Sequence, residues 1–340
     1  MKTQYAEAIS ALNHSESVLL LSHLRPDGDA YGSCLGLGLS LSAAGKDVLI
    51  FNQDGLNTLY TFLPFSERIL RTPTENPPVG LLLALDTSTK ERLGAACLSW
   101  NREVDWNIDH HEGNTRYGLN QLVIPNEPAT SAILTDLILE AGWPMPPEAA
   151  SALYVGIMTD TGCFRHRGTS AHTFEQAALL ISHGADPAYL AQQCYQTTSL
   201  ARFRLQQMAT SSLQLEQNGL LAFITLLPEQ FAQCNALPED TEGLVEMPLA
   251  VRDVQVSALF EHREDGSLKV SLRSKGKVNV NALAGEFGGG GHPAAAGINF
   301  KKDGLKNREL VLTRLRQAVH NPDASPASEK PCGVSCQKIL

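Results

Sequence analysis

Residues 18–33 read VLLLSHLRPDGDAYGS, and their reading decides the fold. An uninterrupted apolar run from Val18 to Leu21 gives way at once to His23, Asp27 and Asp29, then to a helical stretch, 30–44, rich in small residues and closed by Gly45. Strands covered on both faces read as continuous hydrophobic runs rather than alternating ones, so this is the start of a buried, mostly parallel sheet. The same pattern recurs: Leu81–Leu85 ends at Asp86, Val104–Ile108 at Asp109-His110-His111, and Tyr154–Met158, read as another core strand, at Asp160. Stretches 129–141 and 173–183 carry helical patterns between and after these runs. Ligands of open α/β sheets bind beyond the carboxyl ends of the strands, where all four polar segments fall. Gly32, Gly36 and Gly38 weaken helix propensity, which points to close packing on the sheet or close approach of a ligand.

This α/β region runs over 1–186. Residues 187–212, helical and polar, read as a linker. A smaller α/β domain with a mixed sheet is expected over 213–320, with strands near 219–226, 254–260 and 268–272 and a hairpin turn at Asp265-Gly266. Its unusual segment is FGGGGHPAAAG, 287–297, whose glycines let backbone N–H groups approach an anion and whose alanines suggest a helix start. An incidental flexible loop is the bland alternative. Residues 321–340 have the composition of a disordered tail, and Cys332 and Cys336 within it lack the four ligands of a structural zinc site.

At 340 residues, roughly 150 per domain gives two domains, and 43% hydrophobic residues suffice for two cores. Seven cysteines without regular spacing make no disulfide framework. The N-terminus has no basic segment ahead of a sustained apolar core, and VLLL is too short to span a membrane, so a cytoplasmic location with no membrane partner is expected. The formal net charge of -9 disfavours long duplex nucleic acid held by bulk electrostatics. It is unevenly spread: residues 250–320 carry a surplus of positive charge, and residues 1–249 the opposite. A small anionic substrate fits that distribution.

Aspartates with a few imidazoles suit hard or borderline divalent cations, and no clustered cysteines argue for zinc thiolate chemistry. Each segment also has a plainer reading. PDGDA is ordinary turn chemistry, Asp86 could cap a helix in rivalry with Thr87 or Ser88, and Asp160 could hold a turn. Asp109-His110-His111 is harder to explain structurally, since burying three polar groups costs energy unless each is paired. In the second domain Arg252, Arg273 and Ser274 with Gly290, Gly291 and His292 make a candidate phosphate pocket.

HLRPDGDAYGS, ALDTS, IDHHEGN, TDTGCFR, RSKGKVNVNALA and GGGGHPAAAG, in that order, resemble the DHH and DHHA1 phosphoesterase family, and within it the branch of nanoRNases and pAp phosphatases. The resemblance implies an active cleft between the two domains and two divalent cations, usually manganese, with magnesium or cobalt as alternatives. One cation would take His23, Asp27 and Asp86, the other Asp29, Asp86, His110 and Asp160, so that Asp86 bridges. Asp109 would orient an imidazole and His111 would contact the scissile phosphate, while Arg252, Arg273, Ser274 and His292 grip another phosphate. The implied activity is in-line hydrolysis of short RNA, from dinucleotides to about pentanucleotides, and of pAp to AMP. Alternatives are hydrolysis of cyclic di-AMP, pApA or pGpG, and a nucleotide-binding regulator without catalysis. A homodimer through the first domain is the implied assembly.

Overall fold

Leu19, Leu20 and Leu21 are buried, sealing both faces of the strand they form. In the computed structural model, which describes residues 3–321 other than 74, 79 and 167, the chain divides into two units, Met1–Thr198 and Ser199–Leu340.

The first unit runs α1 (Thr3–His14), β1 (Ser17–Leu21), α2 (Gly28–Ala43), β2 (Asp47–Asn52), β3 (Ile69–Arg71), β4 (Leu81–Leu85), α3 (Ala95–Leu98), β5 (Trp106–Asp109), β6 (Asn120–Val123), α4 (Thr130–Ala141), α5 (Pro147–Asp160), α6 (Ala171–Ser182) and α7 (Pro187–Tyr195). Its six strands are all parallel, in the order β3-β2-β1-β4-β5-β6. The chain builds outward from β1 in one direction and then resumes at β4 on the other side. A crevice therefore opens beyond the carboxyl ends of β1 and β4, the topological switch point where doubly wound sheets bind ligands.

One expected strand is not a strand. Tyr154–Met158 lies inside the helix α5, because a short apolar run cannot by itself be assigned to strand or helix, and here every residue from Leu153 to Met158 is buried. Asp160 thus ends a helix, not a strand. The small residues explain how α5 reaches the interior: a Cβ on Gly32 would lie 2.5 Å from the Ala152 carbonyl oxygen, and one on Gly36 would lie 2.4 Å from Leu153. Glycine lets α2 and α5 approach at those two points, whereas Gly38 faces Ile50 of the sheet.

The second unit runs α8 (Leu200–Ser211), β7 (Gln214–Glu216), β8 (Leu221–Leu226), α9 (Pro228–Cys234), α10 (Glu246–Leu249), β9 (Val256–His262), β10 (Leu268–Ser274), α11 (Val280–Gly285), β11 (Gly290–His292), β12 (Ala295–Phe300) and α12 (Gly304–His320). Its sheet is mixed, ordered β11-β12-β10-β9-β8-β7, with β8 and β9 parallel and the other neighbours antiparallel. One core forms where α12 covers Val256, Ala258 and Phe260, and another where α8 and α9 cover Ile224 and Leu259.

One further expectation changes. The alanines after His292 do not begin a helix. Ala295 and Ala296 pair with Arg273 and Leu272 on one side and with His292 and Gly291 on the other, as an inner strand whose ladder outweighs the helix propensity of alanine. Residues 187–212, expected as a helical linker, form α7, which packs on α5, and α8, which packs on β8 and α9. Cys332 and Cys336 lie outside the described residues.

Candidate metal centre

β1 delivers His23, and the loop behind it turns into α2 with Asp27 as its N-cap, accepting from the amides of Asp29 and Ala30, both at 3.1 Å. Asp29 stands in the first turn of α2 and Asp86 directly follows β4. Asp109 closes β5, with His110 and His111 next. Asp160 approaches from the end of α5. These residues come together. His23, Asp27 and Asp86 place one ligand atom each within 4.8 Å of one another, and so do Asp29, His110 and Asp160.

Asp86 faces both groups with different oxygens: Oδ2 lies 3.4 Å from His23 Nε2, and Oδ1 lies 3.7 Å from His110 Nε2. Backbone carbonyls aim both rings. His23 Nδ1 lies 2.8 Å from Leu24 O, and His110 Nδ1 lies 3.2 Å from Glu127 O, so each ring turns Nε2 inward. His110 Nε2 is also 3.3 Å from Asp160 Oδ2.

Asp86, Asp109, His110 and His111 form another grouping within the same distance. Asp109 is already engaged, however. Its Oδ1 accepts from His110 N (2.9 Å) and His111 Nδ1 (2.7 Å), and its Oδ2 from Asn114 Nδ2 (2.6 Å). Burial pushes its carboxyl up, but the His111 contact and the Asn114 amide more than reverse this and leave it below the ordinary range. Burial and the neighbouring Asp29 and Asp27 push Asp86 and Asp160 well above the ordinary carboxylate range. Burial also raises Asp29. Burial and the Arg92 guanidinium bring His23 down to about 4, leaving it neutral, as a ligand must be, near pH 7.

Four carboxylates, Asp29 and Asp86 buried and Asp27 and Asp160 partly exposed, crowd into one crevice and repel one another, and added positive charge is what relieves them. The donor set of oxygens and imidazole nitrogens fits divalent cations. Burial pushes the nearby Cys34 thiol up to about 12, which suits a packed side chain rather than a thiolate ligand.

Sequence reasoning passed over the start of α4. Asp29 accepts from the amides of Thr130 (2.6 Å) and Ser131 (2.9 Å), and the Thr130 hydroxyl donates to Asp86 Oδ1 at 3.1 Å. In the sequence, PATSAIL signals only a helix start. Gly156 also serves here, since a Cβ on it would lie 2.0 Å from Ser131 Oγ and 2.8 Å from Asp29 Oδ1.

Within the second unit, Arg273 and His292 both face Ala295 of β12 from opposite sides, which puts the three on one face of the sheet. Arg273 Nε lies 3.5 Å from Glu246 Oε1. Ser274, buried, accepts from the Gly276 amide at 3.0 Å, and Lys275 ties the turn at Arg252 to the end of β10 through the Arg252 carbonyl, also at 3.0 Å. Gly290 and Gly291 are strand residues. Gly291, at φ 150, leaves no room for a side chain: a Cβ would meet the Ala295 carbonyl oxygen at 2.3 Å.

A sequence profile of the DHH family, N-terminal domain, matches residues 17–157, and that of the DHHA1 domain matches 223–321. The chain is 34% identical to the bifunctional oligoribonuclease and PAP phosphatase NrnA of Thermus thermophilus, over 89% of this chain and 90% of that protein. The cyclic-di-AMP phosphodiesterase GdpP of Bacillus subtilis is 25% identical over 91% of this chain, which spans 48% of it. Among solved structures, an exopolyphosphatase-related protein from Bacteroides fragilis superposes with a TM-score of 0.84 at 25% identity, covering 94% of this chain and 98% of the other.

Proposed function

Since the chain belongs to the DHH phosphoesterase family, with a DHHA1 domain after its N-terminal domain, we propose that it hydrolyses short RNA, from dinucleotides to about pentanucleotides, to 5′-mononucleotides, and dephosphorylates pAp to AMP. The observation that carries this reading is the meeting of two ligand groups across Asp86 at the switch point of the parallel sheet. The likeness to a bifunctional oligoribonuclease and PAP phosphatase over nearly the full length of both chains supports the substrate class.

His23, Asp27 and Asp86 would hold one divalent cation, and Asp29, Asp86, His110 and Asp160 the other, with manganese the best fit and magnesium or cobalt also suited. Bound cations supply Lewis acidity toward phosphoryl oxygens and lower the pKa of water toward neutrality, to about 7. The chain does the rest by position. Asp86 spans the two groups, the start of α4 fixes Asp29 and Asp86, and Asp109 sets the ring of His111, which contacts the scissile phosphate. Arg252, Arg273, Ser274 and His292, with the backbone of Gly290 and Gly291, bind a second phosphate through charge-assisted hydrogen bonds. Among the described residues no helix is long and apolar enough to cross a membrane, and a cytoplasmic protein fits substrates of this kind.

The test is a panel of labelled pAp, RNA from two to about twenty nucleotides, pApA, pGpG and cyclic di-AMP, with manganese or with EDTA and with product lengths resolved. Manganese-dependent turnover that is fastest on the shortest RNA and on pAp is expected. Preference for cyclic di-AMP would favour the second reading, which the likeness to GdpP supports. Binding of all substrates without turnover would leave a regulator.

A further inference from the structure

Asn114 lies three residues beyond His111, in the turn closed by its own amide donating to the His111 carbonyl at 3.2 Å. Both ends of its side chain are engaged. Nδ2 donates to Asp109 Oδ2 at 2.6 Å and to Asn107 Oδ1 at 2.8 Å, while Oδ1 accepts from the Arg116 amide at 2.6 Å. Asn107 is in turn anchored by its own Nδ2 on the carbonyl oxygens of Ala84 (3.3 Å) and Thr87 (3.1 Å), the segment that carries Asp86. The lattice therefore joins the ends of β4 and β5 beneath the metal centre.

Asp109 is the member that matters. Its side chain is 0% exposed, and its other oxygen takes the His111 Nδ1 contact at 2.7 Å. The terminal torsion of an aspartate is intrinsically soft, with a broad two-fold profile, so a carboxylate gripped at one oxygen alone lets the imidazole on it swing. Asn114 removes that freedom by gripping the second oxygen. With Asp109 as acceptor, Nδ1 of His111 carries the proton of the ring and Nε2 is the nitrogen turned away from Asp109.

We propose that Asn114 is a positioning residue that fixes the orientation and tautomer of His111 through Asp109. The inference rests on the reading that His111 contacts the scissile phosphate. Removing the amide leaves a buried carboxylate oxygen without its donor, which favours rearrangement of the relay rather than a preserved geometry. Asn114 bonds directly to none of the proposed cation ligands, its side chain meeting Asp109, Asn107 and the Arg116 amide, so the loss should fall on turnover.

The test uses Asn114→Ala and Asn114→Ser on the full chain. Long-range ¹⁵N–¹H correlation of the imidazoles, with diamagnetic magnesium bound and His111 assigned by its loss in His111→Gln, should show a single Nδ1-protonated ring in the parent and a mixture of tautomers in Asn114→Ala. On a labelled dinucleotide kcat should fall by about 10- to 100-fold, while KM stays within about threefold and cation content is unchanged. Asn114→Ser, which keeps a shorter donor, should recover part of kcat and serves as the variant if the alanine chain does not fold. An unchanged tautomer with unchanged kcat overturns the proposal, as does a loss of kcat that follows loss of cations or of thermal stability. If the parent hydrolyses no phosphoester, the functional reading fails while the ring tautomer still decides whether the relay exists.

Discussion

Asp86 has φ 52, a left-handed backbone that a non-glycine residue adopts at a cost of about 1–3 kcal/mol. Its amide donates to the Ile108 carbonyl at 3.0 Å, which holds the bend at the end of β4 and leaves the two carboxylate oxygens pointing to different ligand groups. Asp86→Ala should therefore lower kcat by about 1000-fold or more and reduce bound cations in the same preparation, measured by turnover and atomic emission. Full activity would remove the bridging assignment. His23, Asp27, Asp86 and the Asp109-His110-His111 run were all legible as candidates, because polar groups placed directly after apolar runs are conspicuous. Thr130, Ser131 and Asn114 were not. Thr130 and Ser131 touch the proposed ligands Asp29 and Asp86 from another element, and Asn114 touches Asp109 from the turn that follows it, contacts that no local pattern of residues announces.

Elements are held to this centre by contacts of their own. α6 docks on α4 through Asp136, which accepts from Gln176 Nε2 at 3.0 Å and lies 2.9 Å from His172 Nε2. The hydrogen bond to Asp136 raises the His172 pKa above its ordinary value. The folded state thus binds that proton more tightly. The stabilisation is complete below the unfolded pKa of about 6.5 and fades as pH rises through the folded value. The Tm difference between the parent and Asp136→Asn should accordingly be larger in mildly acidic buffer than at about pH 9, and a difference independent of pH would show that the pair carries no linkage. The α5 segment shows where reading by pattern fails at this scale. A helix buried on all sides has no polar face to betray its period, so Tyr154–Met158 looks the same as a core strand until its length, from Pro147, is taken into account.

For the whole molecule, the charge surplus of residues 250–320 and Arg273 at the end of β10 suit a substrate with more than one phosphate. Arg273→Ala should raise KM for dinucleotides by about 10- to 100-fold, the worth of a charge-assisted contact, with cation content unchanged. Measured against pAp and a chain of about twenty nucleotides, the loss should be greatest on the short substrates, and unchanged kinetics would remove the anchoring role. Residue type and order alone determined that an α/β domain with a doubly covered parallel sheet precedes a mixed-sheet domain, and that acidic and imidazole groups end its apolar runs. Those facts follow from burial, which writes itself into sequence as unbroken hydrophobic stretches. Only the tertiary structure decided that Asp160 arrives on a helix, that the alanines after His292 form an inner strand, and that α4 and Asn114 hold the carboxylates. Each of these depends on which distant segments become neighbours, and packing partners far apart in the chain leave no local pattern to read.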